Sequence, residues 1–333
     1  MRISLVTDAW LPQINGVTTT LGRCCEEMTS KGHEVSVISP NLFRTIPCPR
    51  YPEINLAVWP FKVSRLLDEQ RPDVIHIATE GPLGVTARRY CGRRKLPFTT
   101  AFHTKFPEYL KTYAGIPERF TYRLVRWFHG GAQRTLVPTP TMKRELEDRG
   151  FTNLVEWVRG VDTELFRPRS DDFFGLPRPI FISVGRVAPE KNLRSFLQLD
   201  LPGSKVVVGD GPDRAQLETE FPAVHWAGMR LGEDLARHYA GADVFVFPSR
   251  TDTYGVVMLE ANASGLPVAA YPVTGPIDVV VDGVTGVLDH DLEKACRSAL
   301  EIDRDGCRRH AESMSWSRCA ELMLDTFSVI DRL

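Results

Sequence analysis

"VFVFPSRTDTYGVVMLEANASGLP", residues 244–267, contains a strand and a helix in direct succession. VFVFPS, residues 244–249, predicts a strand that ends at Ser249 and is buried on both faces. After the polar loop, the apolar run 256–259 begins a helix, and Gly265 marks its end. A strand followed at once by a helix is half of a βαβ unit, and such units build parallel sheets.

The start of this predicted helix has the chemistry of an anion site. A helix that follows a strand directly leaves backbone N–H groups free, here those of Gly255, Val256 and Val257. The helix dipole alone favours an anion by about 0.3–1 kcal/mol. Glu260 lies about one turn inside, where a carboxylate accepts hydrogen bonds from a sugar diol, and Asp252 precedes the helix. The alternative is a capping Asp with an unrelated surface Glu.

The same alternation of strands and helices runs along the chain in two halves. ISLVTD, GHEVSVISP and PDVIHIAT are predicted strands of the first half, and the pattern restarts near residue 179 with PIFISVGRV. The polar, proline-bearing segment 160–172 is the predicted linker. We therefore expect an α/β fold of two Rossmann-like, doubly wound parallel-sheet domains that face a central cleft, with ligands at the carboxyl ends of the strands.

Composition and charge limit the possible partners. The 333 residues, 43% hydrophobic and 25% charged, are typical of a globular protein with two domains. The net charge of −1 is uneven, because residues 1–168 hold 24 Lys/Arg against 17 Asp/Glu and residues 169–333 hold 17 against 25. A basic first half fits either an anionic surface or a solvated face without a partner. The overall charge argues against nucleic acid.

The cysteines and the apolar runs bear on the compartment. Seven cysteines form no CxxC pair, which is typical of free thiols in a reducing environment. No stretch approaches the roughly 20 apolar residues of a membrane span. The first residues, MRISLVTD, predict a strand, because their apolar run is too short for a signal peptide. We expect a cytoplasmic protein.

VGRVAPEKN, residues 184–192, supplies two cations where a predicted strand ends. Arg186 and Lys191 are placed to neutralise a diphosphate, with the helix start at 255 on its other side. No Asp-rich metal cluster lies nearby, so we expect no metal, and the cations would stabilise the leaving phosphate. Removing one such charge donor costs about 3 kcal/mol, or roughly a hundredfold in rate. The alternative is a surface pair of basic residues.

Three weaker signals remain. Gly16, in PQINGVTTT, begins a helix and predicts a second anion-capable helix start, although an Asn-Gly pair is usually only a turn. His103 follows an apolar strand end in FTTAFHTKFPEY, as either a functional residue or a core histidine. The GDGP stretch, 209–212, predicts a tight turn that could approach a nucleotide, but it is not a dinucleotide fingerprint because Arg214 replaces the third glycine.

Taken in order, these stretches resemble the retaining GT-B glycosyltransferases of the "group 1" family. The resemblance covers nearly the whole chain: NGV, FHTKFPEY, GVDTELFRP, VGRVAPEKN, GDGP, WAG, ADVFVFPS and TDTYGVVMLEANASGLPV. It implies an N-terminal acceptor domain, 1–165, and a C-terminal nucleotide-sugar domain, 166–312. The amphipathic helical segment 313–333 would return to the N-terminal domain.

The resemblance also implies residue roles. Glu260 matches the family's ribose-binding Glu, and Asp252 stands where the family has a Glu for the transferred sugar. Arg186 and Lys191 match the diphosphate clamp. The shorter Asp departs from the family pattern and reaches less far. Of the first half, Gly16 matches the glycine beside the donor phosphates, and His103 matches a histidine near the sugar.

FHTKFPEY most resembles the branch that transfers sugars from GDP-mannose or UDP-sugars to diacylglycerol or phosphatidylinositol-like lipids. The segment 117–134 mixes aromatic residues with arginines, so it predicts either a helix lying on an anionic membrane or a helix whose apolar side is in the core. The basic cluster 87–95 has the same two interpretations. The membrane interpretation implies peripheral attachment at the inner face of the membrane.

The expected function is therefore a metal-independent transfer of a hexose from a nucleotide-diphosphate sugar, which serves as substrate, with no cofactor. Three alternatives stay open: a soluble or cell-wall acceptor, a non-catalytic nucleotide-sugar binder, and a nicotinamide dehydrogenase. The base pocket is expected beside WAGMRLGED, residues 226–234.

Overall fold

The computed structural model describes residues 1–48, 51–170 and 173–330, with the side chains of 51–54 and 112–114 excepted. Two compact units divide it: residues 1–159 with the segment that begins at Trp316, and Gly160–Ser315. The break after Arg159 falls where the predicted linker 160–172 begins; Asp171 and Asp172 of that linker lie outside the described residues.

The first unit is built on a six-stranded parallel sheet with the order β2-β1-β5-β6-β7-β8. Its strands, with the antiparallel hairpin β3–β4, are β1 (Arg2–Val6), β2 (Glu34–Ile38), β3 (Thr45–Cys48), β4 (Tyr51–Ala57), β5 (Val74–Ile77), β6 (Thr99–Ala101), β7 (Arg134–Val137) and β8 (Leu154–Glu156). The helices are α1 (Gly16–Ser30), α2 (Lys62–Gln70), α3 (Pro82–Arg94), α4 (Phe106–Ala114), α5 (Glu118–His129) and α6 (Pro140–Glu147).

The second unit repeats this architecture with the order β11-β10-β9-β12-β13-β14, all parallel. Its strands are β9 (Ile180–Val184), β10 (Ser204–Val208), β11 (His225–Gly228), β12 (Val244–Phe247), β13 (Val268–Ala270) and β14 (Gly286–Leu288). The helices are α7 (Leu193–Leu197), α8 (Arg214–Glu220), α9 (Gly232–Ala240), α10 (Val256–Ala263), α11 (Pro276–Val279), α12 (Leu292–Ala299) and α13 (Arg304–Glu312).

The predicted α/β class and the two doubly wound sheets are confirmed. The middle strands are buried along their length, as β5 and β12 show, because helices cover both faces of each sheet. In the second unit, the strand order is that of a Rossmann fold, and it reverses between β9 and β12. Ligands of such sheets bind at the reversal, outside the carboxyl ends of the strands.

The last helix, α14 (Trp316–Asp325), belongs to the first unit and packs on α1. The Sγ atoms of Cys24 and Cys319 approach to 3.5 Å as free thiols. The indole of Trp157 donates to the carbonyl of Cys319 at 2.8 Å. The amphipathic C-terminal segment thus completes the core of the first unit.

Candidate functional site

Two neighbouring strands, β9 and β12, end at the strand-order reversal of the second unit. The loop after β9 carries Arg186 and, in a short 3-10 helix (Pro189–Lys191), Lys191. The loop after β12 carries Asp252 and leads into α10. The sheet therefore brings together two sequence segments that are about 60 residues apart, as the sequence predicted from the strand ends.

The loop after β9 is held by the neighbouring GDGP turn. A Cβ atom at Gly209 would lie 1.8 Å from the carbonyl of Gly185, and one at Gly211 would lie 2.3 Å from the carbonyl of Val187. The amide of Val187 donates to the carbonyl of Asp210 at 2.9 Å. The two turn glycines are thus required by this backbone approach, which positions Arg186. A nucleotide is not needed to explain them.

Direct bonds join the two loops. The ammonium of Lys191 lies 2.5 Å from Oδ1 of Asp252. The side chain of Asn192 donates to the carbonyl of Pro248 at 3.1 Å. The hydroxyl of Thr251 donates to the carbonyl of Glu190 at 3.3 Å. Sequence reasoning gave Lys191 and Asp252 separate roles and missed their ion pair. The two residues are 61 positions apart, so no local pattern in the sequence indicates the pair.

The start of α10 is open. Gly255 precedes the helix with φ +88°, and among the residues that the structure describes no side chain caps this N-terminus. A Cβ atom at Gly255 would lie 2.8 Å from Cε of Met258 and 3.0 Å from Cζ of Phe247, so the position requires glycine. The following Val256 and Val257 are half-buried. The predicted helix and its predicted start are confirmed.

Inside α10, the carboxyl group of Glu260 accepts a hydrogen bond from the hydroxyl of Tyr239 on α9 at 2.9 Å. Burial raises the pKa of Glu260 to about 7, and this hydrogen bond acts in the opposite direction. Tyr239 itself is completely buried. Sequence reasoning placed Glu260 and missed Tyr239, although its segment directly precedes the strand β12.

Gly16 and His103 belong to the first unit. Gly16 is the first residue of α1, but the side chain of Asn15 already accepts hydrogen bonds from the amides of Val17 and Thr18, both at 3.0 Å. The chain's own cap therefore takes two amides of this predicted anion-capable helix start, and the role of Gly16 stays a prediction. His103 follows β6 and rests against the edge of Trp157, with ring centroids 5.7 Å apart.

The imidazole of His103 is neutral at ordinary pH. Burial, and secondarily the charge of Arg159, lowers the pKa of His103 well below its usual value. The guanidinium of Arg159 stacks on Trp157 at 4.0 Å. A neutral imidazole exchanges hydrogen bonds with hydroxyl groups but does not supply a positive charge to a phosphate.

Asp8, which sequence reasoning did not select, lies just after β1, at the carboxyl edge of the first unit's sheet. Its carboxylate accepts hydrogen bonds from the amides of Leu83 and Gly84 at 2.9 and 3.3 Å and from the hydroxyl of Thr79 at 2.9 Å. Burial raises its pKa to about 6. Asp8 therefore caps α3, and its signal in the sequence was the acidic residue at the end of ISLVTD.

The two basic segments of the first unit differ in their contacts. On α5, Phe128 is buried, whereas Phe120, Leu124 and Trp127 are 56%, 60% and 42% exposed. Three arginines of α5, Arg119, Arg123 and Arg126, are exposed as well, and so is Arg134 at the start of β7. Only the inner face of α5, which carries Phe128, packs in the core; the apolar residues of its outer face are exposed. In the cluster 87–95, Arg88 stacks on Trp127 and Arg94 pairs with Asp68.

The described side chains and helices also bear on metal binding and on membrane spanning. Within the described ranges, no group of three His, Cys, Asp or Glu side chains is arranged to hold a metal ion. Of the helices that the structure describes, none combines the length and the apolar character needed to cross a membrane.

The two Rossmann-like units and the open helix start at the strand-order reversal define a protein of the GT-B class. Comparison with known proteins gives the family. Residues 14–165 match "Glycosyltransferase Family 4" and residues 178–302 match "Glycosyl transferases group 1". The chain belongs to the group 1 glycosyltransferases, as its motifs predicted, and is not a nicotinamide dehydrogenase.

Three similar proteins illustrate the relationship. A GDP-mannose-dependent alpha-mannosyltransferase of Mycobacterium tuberculosis is 33% identical over 86% of this chain and 83% of its own length. An alpha-monoglucosyldiacylglycerol synthase of Acholeplasma laidlawii is 25% identical over 91% of this chain and 88% of its own. The sucrose-phosphate synthase structure from Thermosynechococcus elongatus has the same fold, with a TM-score of 0.81 at 19% identity and 97% coverage of both chains. The chain is thus a glycosyltransferase that uses a nucleotide sugar.

Proposed function

We propose that this glycosyltransferase moves a hexose from GDP-mannose or a UDP-sugar to a hydroxyl group of a membrane glycerolipid, with retention of the anomeric configuration. The observation that carries the proposal is the junction of β9 and β12. There, Lys191 and Arg186 follow one strand, and the open start of α10 follows its neighbour. This is the arrangement that a dianionic leaving group needs.

Each part of the donor has a proposed partner in the second unit. The diphosphate lies between the cations of Arg186 and Lys191 and the amides of Gly255, Val256 and Val257. The ion pair with Asp252 supports this assignment, because it holds the ammonium of Lys191 at the junction before a phosphate arrives. The pair is an exchangeable one, since the two side chains keep 28% and 16% of their surface exposed.

The sugars of the donor fit the two carboxylates. Glu260 binds the ribose diol, and Asp252 binds the transferred hexose as the ammonium of Lys191 turns to the phosphate. In the first unit, Gly16 is assigned to the donor phosphates because a Cβ atom there would meet nothing within 4 Å, which leaves room for a ligand. The neutral His103 is assigned to a sugar hydroxyl.

The chemistry follows from these partners. The bond between the anomeric carbon and the β-phosphate oxygen breaks while the acceptor oxygen bonds to the same face of the sugar. The acceptor proton passes to the departing phosphate oxygen, and a nucleoside diphosphate leaves. Arg186, Lys191 and the α10 amides stabilise the charge that develops on that oxygen. Retention is supported by relatives whose names specify alpha products.

The exposed face of α5 supports a membrane acceptor. Phe120, Leu124 and Trp127 form an apolar stripe with helical spacing, and exposed arginines flank it. An amphipathic helix of this kind binds the interface of anionic bilayers. The name of one relative, the alpha-monoglucosyldiacylglycerol synthase of Acholeplasma laidlawii, contains a glycerolipid, which supports a glycerolipid acceptor. The protein is therefore proposed to work at the inner face of the membrane.

The test is a transfer assay with GDP-mannose, UDP-glucose and UDP-sulfoquinovose as donors. The acceptors are vesicles that contain diacylglycerol or phosphatidylinositol, compared with free sugars. We expect transfer to the vesicles, an alpha linkage in the product, and a loss of about a hundredfold in kcat for Arg186→Ala and Lys191→Ala. Lys294→Ala, which removes an exposed lysine paired with Asp289 in the same unit, is the matched control.

Three outcomes would overturn parts of the proposal. Wild-type rates for both variants would exclude the diphosphate clamp. Transfer to free sugars but not to vesicles would exclude the lipid acceptor. Donor binding without transfer to any acceptor would make the protein a nucleotide-sugar binder.

A further inference from the structure

We infer that Tyr239 is a positioning residue for the donor, and that it acts by fixing the carboxylate of Glu260 towards the ribose hydroxyls. The inference deepens the proposed function and rests on its assignment of Glu260 to the ribose. No motif in the sequence selected Tyr239.

The ring of Tyr239 is locked in the core. It is completely buried and lies edge-on to Phe166, with centroids 5.6 Å apart, and tilted against Phe245 at 5.7 Å. A ring held on two sides fixes the direction of its hydroxyl group. That hydroxyl donates to Oε2 of Glu260 at 2.9 Å. The carboxylate is therefore oriented through Oε2 by a rigid donor. Among the described residues this is its one side-chain hydrogen bond, which leaves Oε1 to accept from a ligand.

The bond also controls the charge of Glu260. Burial raises the pKa of Glu260 to about 7, and the hydrogen bond from Tyr239 lowers it. Loss of the hydroxyl would raise the pKa further, so a larger fraction of Glu260 would be protonated at neutral pH. A protonated carboxyl group accepts from two ribose hydroxyls less well than a carboxylate does.

The other charged groups around α10 have different partners. On α9, the imidazole of His238 faces the rings of Phe173 and Phe174. On α13, the guanidinium of Arg308 donates to the carbonyl of Ala263 at the far end of α10, at 2.7 Å. The strands β12 and β13 contribute apolar residues. Burial and the Tyr239 hydroxyl are the two causes that act on the pKa of Glu260.

Calorimetric binding of GDP and 2′,3′-dideoxy-GDP, with UDP and its dideoxy analogue in parallel, tests the inference between pH 6 and 8.5. Wild type should prefer the ribonucleotide by about tenfold or more, because the diol bonds a charged group. In Tyr239→Phe, we expect this preference to fall by about tenfold at pH 7 and to recover partly at pH 8.5. Binding of the dideoxy nucleotide should not change.

Tyr90→Phe is the matched control, because it removes a tyrosine hydroxyl that donates to the carboxylate of Asp68 at 2.7 Å in the first unit. It should leave the preference and its pH profile at wild-type values. A Tyr239→Phe variant in a Glu260→Gln background should have no further effect on the preference, which distinguishes action through Glu260 from a loss of packing. If Tyr239→Phe does not fold, Glu260→Gln alone replaces it: with its Tyr239 bond intact, it should lose the pH dependence of the preference.

The possible failures are distinct. If wild type prefers the ribonucleotide and Tyr239→Phe does so equally at every pH, Tyr239 does not position Glu260. If Glu260→Gln replaces Tyr239→Phe, an unchanged pH dependence of the preference for the ribonucleotide also overturns the inference. If wild type binds the two nucleotides equally, the assignment of Glu260 to the ribose is wrong, and the inference falls with it.

Discussion

Three helix starts at the carboxyl edges of the two sheets, those of α1, α3 and α10, are satisfied in different ways. In the first unit, the side chain of Asn15 caps α1 and the carboxylate of Asp8 caps α3. In the second unit, α10 begins after Gly255, and within the described part of the chain its N-terminus has no side-chain cap. The two sheets share one architecture, so the difference lies in the loops that follow their strands.

This difference separates helix starts whose amides are bonded by the chain itself from one that keeps its amides for a ligand. A helix leaves its first amides without intrahelical partners, and a cap from the chain itself stabilises the fold. An uncapped start keeps those amides for a ligand and gives up about 1 kcal/mol of stability. The second unit carries this cost together with Glu260, whose pKa is raised, whereas the first unit uses its buried carboxylate, Asp8, as a cap.

The largest effect that would sharpen the comparison is expected at Gly255. Gly255→Ala should lower the free energy of unfolding by about 2–3 kcal/mol, because φ is +88° and the new Cβ atom meets Phe247 and Met258. It should also weaken GDP or UDP binding, since the amides of α10 would be displaced. Urea unfolding and calorimetry measure the two effects.

Gly16→Ala is the matched control in the first unit, because its Cβ atom would meet nothing within 4 Å. We expect a change in unfolding free energy within about 0.5 kcal/mol. If the two substitutions lowered the unfolding free energy equally, the start of α10 would not be more strained than the capped start of α1.

The next effect is expected at Asp8. Asp8→Asn should lower the unfolding free energy by about 1–3 kcal/mol at pH 8, because an amide NH₂ group would face N–H or O–H donors of α3 and Thr79. We expect this loss to exceed the stability that the variant gains by removing the buried charge, which raises the pKa of Asp8. Nucleotide binding should be unchanged, since this cap is structural. Asp68→Asn, at an exposed ion pair with Arg94, is the control and should cost less than about 1 kcal/mol. A wild-type urea midpoint for Asp8→Asn would contradict the capping role.

A smaller, pH-dependent effect is expected at Glu260. Its pKa in the folded protein is about 7, above the ordinary value of 4.5. Below pH 4.5 the group is protonated in both states, so it does not affect stability. As the pH rises from 4.5 to 7, the unfolded chain ionises first, and the folded state loses stability, with the full loss present above pH 7.

Glu260→Gln should remove this loss. Relative to wild type, the variant should gain about 2–3 kcal/mol of unfolding free energy between pH 5 and pH 8, while its nucleotide binding weakens. Denaturant melts at the two pH values measure the gain, and the exposed Glu301→Gln in the same unit is the control. A constant difference between variant and wild type at both pH values would show that Glu260 is not destabilised by its charge.

Much of the fold and part of the site could be predicted from the sequence. The βα alternation and the glycine before the VVML run are local signals, and they located both sheets and the start of α10. The partners of the site residues could not be predicted, because they come from distant segments. Lys191 and Asp252 are 61 residues apart, and Asp8 caps an amide 76 residues away. The Asn-Gly pair predicted a turn and a helix start, but not the cap, which depends on the amides that the Asn15 side chain reaches.

The most direct test of the central claim compares a nucleoside diphosphate with its parent nucleoside, by calorimetry, in wild type and Lys191→Ala. The account predicts that GDP or UDP binds wild type at least about a hundredfold more tightly than guanosine or uridine, and that Lys191→Ala loses at least about tenfold of this preference. An unchanged preference in Lys191→Ala would contradict a diphosphate held between this ammonium group and the open start of α10.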